Sequence, residues 1–105
     1  MARVKVGSYT GTGAAVNVSL GWTPDFVHVW NATDGDITWD WFNGMGAADV
    51  LQITNHADTQ LSLVASNGID TYAGSTSAAK GFTVGTALSE SGKTFRYIAI
   101  LGDDI

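Results

Sequence analysis

The side chains of this sequence that titrate near neutral pH are two histidines, His28 and His56. They lie far apart in the chain. His28 interrupts the apolar run "DFVHVWN", a setting for a hydrogen-bonded, half-buried ring more than for a general base. A serine triad needs a scaffold to assemble it, and the chain contains no G-x-S-x-G, H-E-x-x-H or P-loop pattern. The glycines of "GSYTGTGAA" join two expected strands instead of opening a helix, so they do not read as a phosphate cradle. In "NATDGD", Asn31, Asp34 and Asp36 offer oxygen ligands of the kind calcium takes. Their spacing departs from the EF-hand loop, and Asx-rich hairpin turns arise for backbone reasons alone. Cysteine is absent, which removes disulfides, thiol nucleophiles and Cys-based zinc sites. The expectation is a chain that is not an enzyme, with no catalytic residue, metal or cofactor.

The residues that invite a function are aromatic. Trp22, Trp30, Trp39 and Trp41, with Phe26 and Phe42, crowd the first half of the chain, and "GDITWDWFNGM" holds three of these rings. Alternation places Trp39 and Trp41 on one face of a strand. A domain this small has little room to bury four tryptophans, so part of the cluster is expected at the edge of the core, on a binding surface. Exposed rings beside Asp36, Asp40 and Asn43 could stack on sugars; rings on a charge-poor surface suit a protein partner. At the N-terminus, Arg3 and Lys5 alternate with Val4 and Val6. Cations on an outer strand discourage unwanted strand pairing, or they could meet acidic groups on a partner and set its orientation. Arg3, Lys5, Trp39, Trp41 and Phe42 are the predicted protein-interface residues.

The elements that must position these residues are strands. The chain has 105 residues, 45% hydrophobic and 14% charged, which suits one folded domain over 1–105 and not a disordered segment. Thirteen glycines imply many turns, and period-two alternation dominates. Strands are expected at 3–6, at "AVNVSL", over 25–31 and 36–42, and at "QLSLVAS", "GFTVG" and "TFRYIAIL". If 25–31 and 36–42 pair, Trp30 and Trp39 could become cross-strand neighbours. Asn67-Gly68 is the strongest hairpin signal, as a type I′ turn into "IDTY", and Asp34-Gly35 reads as a second turn. Residues 46–56 fit a helical turn or a strand equally. The fold class is all-β: an antiparallel sandwich, jelly-roll or Ig-like, of about seven to eight short strands.

Ten acids against five scattered bases give a net charge of −5, which repels phosphate backbones and argues against nucleic acid. No signal peptide is evident after Met1, and the longest late apolar run, "YIAIL", is far short of the ~20 residues that cross a bilayer. Asp103 and Asp104 are expected to form a solvated tail, and both termini to be held by packing. A chain this short, opening at Met1, reads as a stand-alone accessory subunit.

"VGSYTGTGAAVNVSLGWTPDFVHVWNATDGD", "NGIDTYAG", "GFTVGT" and "GKTFRYIAI" together resemble small all-β virion structural proteins of tailed bacteriophages. The resemblance spans nearly the whole chain and rests on turns and strands, so it carries over no catalytic residues. It implies a β-sandwich that serves as a capsid decoration (cement) protein. Such a protein would be located in the virion, bound to the major capsid protein or other virion proteins, as a homo-oligomer or in multiple copies. The alternative is a carbohydrate- or receptor-binding module of a tail or fibre, with Trp39 and Trp41 stacking on sugar rings.

Overall fold

A computed structural model describes residues 2–54 and 60–102. His56, Asp103 and Asp104 lie outside these residues, as do the last two positions of the ambiguous 46–56 segment. Nine strands are present among the described residues: β1 (Arg3–Thr10), β2 (Val16–Ser19), β3 (Phe26–Asn31), β4 (Ile37–Phe42), β5 (Val50–Thr54), β6 (Leu61–Val64), β7 (Ile69–Tyr72), β8 (Gly81–Val84) and β9 (Thr94–Leu101). All pairings are antiparallel. Six strands form one sheet in the order β1-β9-β3-β4-β5-β6, and three form a second in the order β2-β8-β7. The expected antiparallel β-sandwich is the observed architecture, with nine strands in place of seven or eight. No helix among the described residues is long and apolar enough to cross a membrane.

The core fills the space between the sheets. From the large sheet come Val27 and Val29 of β3, Trp39 and Trp41 of β4, Val50 of β5, and Phe95, Tyr97 and Ala99 of β9. Against them pack Val18, Leu20, Ile69, Phe82, Val84 and Leu88 from the small sheet and its flanks. Rings organise the contact. Phe82 meets Tyr97 edge-on at 5.3 Å, Tyr9 stacks on Phe95 at 5.3 Å, and Trp39 tilts against Phe95 at 5.9 Å. Polar tips within this layer are paired: Trp39 Nε1 donates to Gln52 Oε1 at 3.0 Å, and the Tyr9 hydroxyl donates to the Leu88 carbonyl at 2.9 Å.

Two turn expectations resolve differently. Asp34-Gly35 does close a hairpin, β3 to β4, with Gly35 N donating to the Asn31 carbonyl at 2.9 Å. The Asn67-Gly68 hairpin is overturned. β6 pairs with β5, and β7 pairs with β8, so the chain passes at this point from one sheet to the other. Asn67 has the positive φ of a turn residue, at 60°, and Gly68 does not share it. Gly68 serves instead as a point of close approach: a Cβ there would lie 2.5 Å from the Ala48 carbonyl oxygen, which accepts from Gly68 N at 2.9 Å. A turn-forming dipeptide thus connects two sheets because each flanking strand finds a longer-range partner. The ambiguous segment becomes strand β5 at 50–54, preceded by turns over 46–49.

Gly81 is where the small sheet pins itself together. A Cβ at this position would fall 1.9 Å from the Val18 carbonyl oxygen of β2, a backbone atom that cannot rotate away. Gly81→Ala is expected to lower stability by about 3 kcal/mol or more through forced separation of β2 and β8, measured by urea unfolding. Burial pushes the Tyr9 phenol well above its ordinary pKa and raises Tyr97 in the same direction. A folded-state pKa above the unfolded one means that the folded chain holds protons the unfolded chain releases. Stability should therefore be level below about pH 10 and fall as pH rises beyond it. Tyr9→Phe should cost about 1 kcal/mol at neutral pH through the lost hydrogen bond and flatten part of the alkaline decline; urea midpoints on either side of pH ~10 read both effects.

Candidate functional site

Among the described residues, only one side of the six-stranded sheet is covered. The three-stranded sheet lies over the face that carries Trp39, Trp41, Phe95 and Tyr97, and the opposite face looks outward. A strand buried on both faces reads as a continuous apolar run, whereas one with a wet face alternates. Here several outward positions are apolar, and register aligns them into three rows. The first runs Val4–Ile100–Phe26–Phe42 across β1, β9, β3 and β4. The middle row crosses all six strands: Val6–Ile98–His28–Asp40–Leu51–Leu63. In the third, Ser8–Arg96–Trp30–Thr38–Ile53–Leu61, polar residues occupy the β1 end.

The exposure of this face decides its interest. Val4 is 65% exposed, Val6 63%, Leu61 63% and Leu63 58%, with Phe42 and Ile53 also open to solvent. Phe26 and Phe42 tilt together at 5.2 Å, and His28 packs against Trp30 at 5.4 Å. Strands lie ~4.8 Å apart and outward residues recur every ~6.8 Å, so the sixteen outward positions of the three rows cover roughly 520 Å². The eleven apolar positions among them account for roughly 360 Å², within the about 300–600 Å² of the largest apolar patch on a typical monomer, which is often functional.

Charge is nearly excluded from the face. At its centre His28 Nδ1–H donates to Asp40 Oδ1, and both side chains are about three-quarters buried, with 29% and 26% of their area exposed. Asp40 is the one acid among the outward strand positions of this sheet in the described residues, and Arg96 is the one cation. Of the residues that flank the His28–Asp40 pair in register, only Thr38 carries a hydroxyl.

The predicted interface residues are divided by the fold. Trp39 and Trp41 are 2% and 3% exposed and belong to the core, so neither meets a partner or stacks on a sugar. Trp30 and Trp39 occupy opposite faces, since Trp30 pairs with Thr38 and Trp39 with Val29. Two of the four tryptophans are inside, as core size required, but Trp22 and Trp30 are the half-buried ones. Phe42 does lie on the outer face. Arg3 and Lys5 are exposed on edge strand β1, opposite Leu101 and Ala99, and so point to the other side of the sheet from Val4 and Val6. Arg3 shares an open groove of about 570 Å³ with Lys80, Trp22 and Leu101. The outward row Val6–Ile98–Leu51–Leu63 was missed as a site. Its signal was the "IAI" of β9 and the "LSL" of β6, apolar positions in excess of what one core face needs.

The Asx-rich turn spends its oxygens locally. Asn31 Oδ1 accepts from the backbone N–H groups of Thr33 and Asp34, each at 3.0 Å, and its Nδ2 donates to Asp34 Oδ2 at 3.1 Å. Lys93 Nζ donates to Asp34 Oδ1 at 3.2 Å, and this bond raises the lysine pKa above its ordinary value. A cavity of about 140 Å³ lies beside the turn, between Asp36, Glu90, Trp39 and Phe95.

Comparison with protein-family models, with curated proteins and with solved structures returned no match.

Because Trp41 is core, Trp41→Ala should act on stability and not selectively on binding. A loss of about 3–5 kcal/mol is expected from the cavity and the lost burial, read as a lowered urea midpoint. Phe42→Ala, on the exposed face, should cost about 1 kcal/mol or less in the isolated chain.

Proposed function

We propose that this chain is a structural subunit of a viral particle, a capsid decoration protein that attaches to the assembled shell of a tailed bacteriophage and reinforces it. The observation that carries this reading is the outer face of the six-stranded sheet. Apolar area of this extent in water favours any state in which another protein covers it, at roughly 25 cal/mol per Å² removed from solvent. The face is broad and poor in charge, which suits a protein surface and not a small substrate held in a cleft. The resemblance of the chain's strands and turns to small all-β virion proteins points to the same class of role. The glycan-binding alternative loses its support, since the rings assigned to stacking are buried.

Stabilisation follows from mass action. A subunit that binds the assembled shell and not its dissociated parts adds RT ln(1 + [L]/Kd) per site to the stability of the shell. The cations of the β1 edge, Arg3 and Lys5, together with Lys80 beside Arg3 in the groove, would meet acidic groups and orient the subunit. Exposed pairs of this kind contribute ~0.2–1 kcal/mol each and weaken with salt. Purified protein added to bare capsids should raise their disruption temperature, and the double variant Arg3→Ala/Lys5→Ala should lower occupancy at low salt but hardly at high salt. Absence of binding to capsids would refute the proposal; equal loss at both salt concentrations would refute the steering role of the two cations.

A further inference from the structure

We infer that the outer face of the six-stranded sheet is covered by a second copy of this chain, in a dimer whose two-fold axis runs parallel to the strands between β3 and β4. The inference rests on the reading of this face as a protein-docking surface and names its occupant as a second copy, so that in the dimer the contact with the shell falls to the β1 edge and the groove of Arg3 and Lys80, outside this face.

The register carries the argument. In a sheet ordered β1-β9-β3-β4-β5-β6, the midline falls between β3 and β4. A two-fold axis along that midline, lying in the interface, lays each strand over its mirror position in the partner: β1 over β6, β9 over β5, β3 over β4. Rows map onto themselves. In the middle row Val6 then faces Leu63 of the other copy, Ile98 faces Leu51, and His28 faces Asp40. Every apolar residue of that row meets an apolar one, and the imidazole–carboxylate pair meets its own reverse. In the row beside it Phe26 meets Phe42, so the two tilted ring pairs gather at the axis. In the third row Trp30 faces Thr38, and Arg96 lies over Ile53 at the margin, where its aliphatic stem can cover apolar surface while the guanidinium stays wet. Self-complementarity of this kind is what an isologous interface requires.

Charge and area agree. Each chain carries −5, so two copies repel in general, but among the described residues the outer face holds one acid, already paired with His28. The two faces can therefore meet without opposing like charges. Paired polar groups at the centre are retained at low cost only if they stay paired when water leaves, and the reversed pair opposite offers each a second partner. A footprint of roughly 500 Å² per copy gives on the order of 1,000 Å² in total, the threshold that a specific interface has to reach. Aligned face-to-face packing of two sheets ~10 Å apart is an ordinary arrangement. Val6 on one wing and Leu61 and Leu63 on the other, which a lone chain leaves in water, would be covered at once, Leu61 lying over Ser8.

The test uses the whole chain and sedimentation equilibrium, with circular dichroism to confirm folding. Wild type is expected to be a dimer. Val6→Lys and Leu63→Glu, each at an exposed position of the single chain, should stay folded and weaken dimerisation on the order of 100-fold or more, because a two-fold interface feels each change twice. The double variant Val6→Lys/Leu63→Glu should recover the dimer, since the axis sets the new cation against the new carboxylate of the other copy. Within one chain these positions sit on opposite edge strands, five strand spacings apart, and cannot pair. The double-lysine variant Val6→Lys/Leu63→Lys should remain a monomer. A monomeric wild type at high concentration, a trimer, a dimer indifferent to the single changes, or a double variant that fails to recover would each overturn the inference. A monomer that still raises the disruption temperature of capsids would leave the shell-binding reading intact, whereas a dimer that ignores capsids would refute that reading alone.

Discussion

Everything in this fold depends on the packing of the three-stranded sheet against the inner face of the six-stranded one. Phe82, Ile69, Val84 and Leu88 on one side meet Trp39, Trp41, Phe95 and Tyr97 on the other, and no disulfide or metal ligand set among the described residues supplements that contact. The contact demands that backbones approach closely, which is why β8 begins at a glycine set against the Val18 carbonyl. It also demands that polar atoms in the layer be paired. Gln52 takes the Trp39 indole N–H, and the Leu88 carbonyl takes the Tyr9 hydroxyl. A layer of large rings with satisfied tips gives a small domain a unique core.

The same constraint creates the outer face. Three short strands can cover only one side of a six-stranded sheet. In an ordinary two-layer sandwich the uncovered side would be polar. Here β1, β9, β3, β5 and β6 all present apolar residues outward, and the one strongly polar feature near the middle is a hydrogen-bonded pair, His28 with Asp40. Among the described residues no third layer covers this side. The cations of β1 fall on the other side of the same strand. Orientation by charge and adhesion by apolar area are thus separated by the pleat itself, since neighbouring residues of a strand point to opposite faces.

Much of the fold was legible in the sequence because strand alternation is local. The patterns of "AVNVSL", "DFVHVWN", "DITWDWF" and "TFRYIAIL" place β2, β3, β4 and β9 to within a residue or two, and Asp34-Gly35 marks the turn it forms. The Asn67-Gly68 dipeptide has the right chemistry for a hairpin, yet sheet membership depends on partners far away in the chain. β7 finds β8 and β6 finds β5, and no local signal weighs those options. The segment 46–56 was ambiguous for the same reason: Val50, Ile53 and Thr54 become a strand because β4 and β6 flank them.

The candidate site was legible only in part. The sequence determined that Trp39 and Trp41 share a face, that Phe42 lies opposite them, that Arg3 and Lys5 oppose Val4 and Val6, and that charge is scarce. These follow from the two-residue period of a strand, which a chain carries wherever it is placed. Tertiary structure alone decided which face of each strand is inside. For β4 the tryptophan face turned inward, because the small sheet settled there and the largest side chains gain most from burial. For β6 the aligned Leu61 and Leu63 turned outward, although their alternation looks like that of a core strand. Period two tells the two faces of a strand apart but not which of them is covered, and that is settled by how many layers the chain can build over each side.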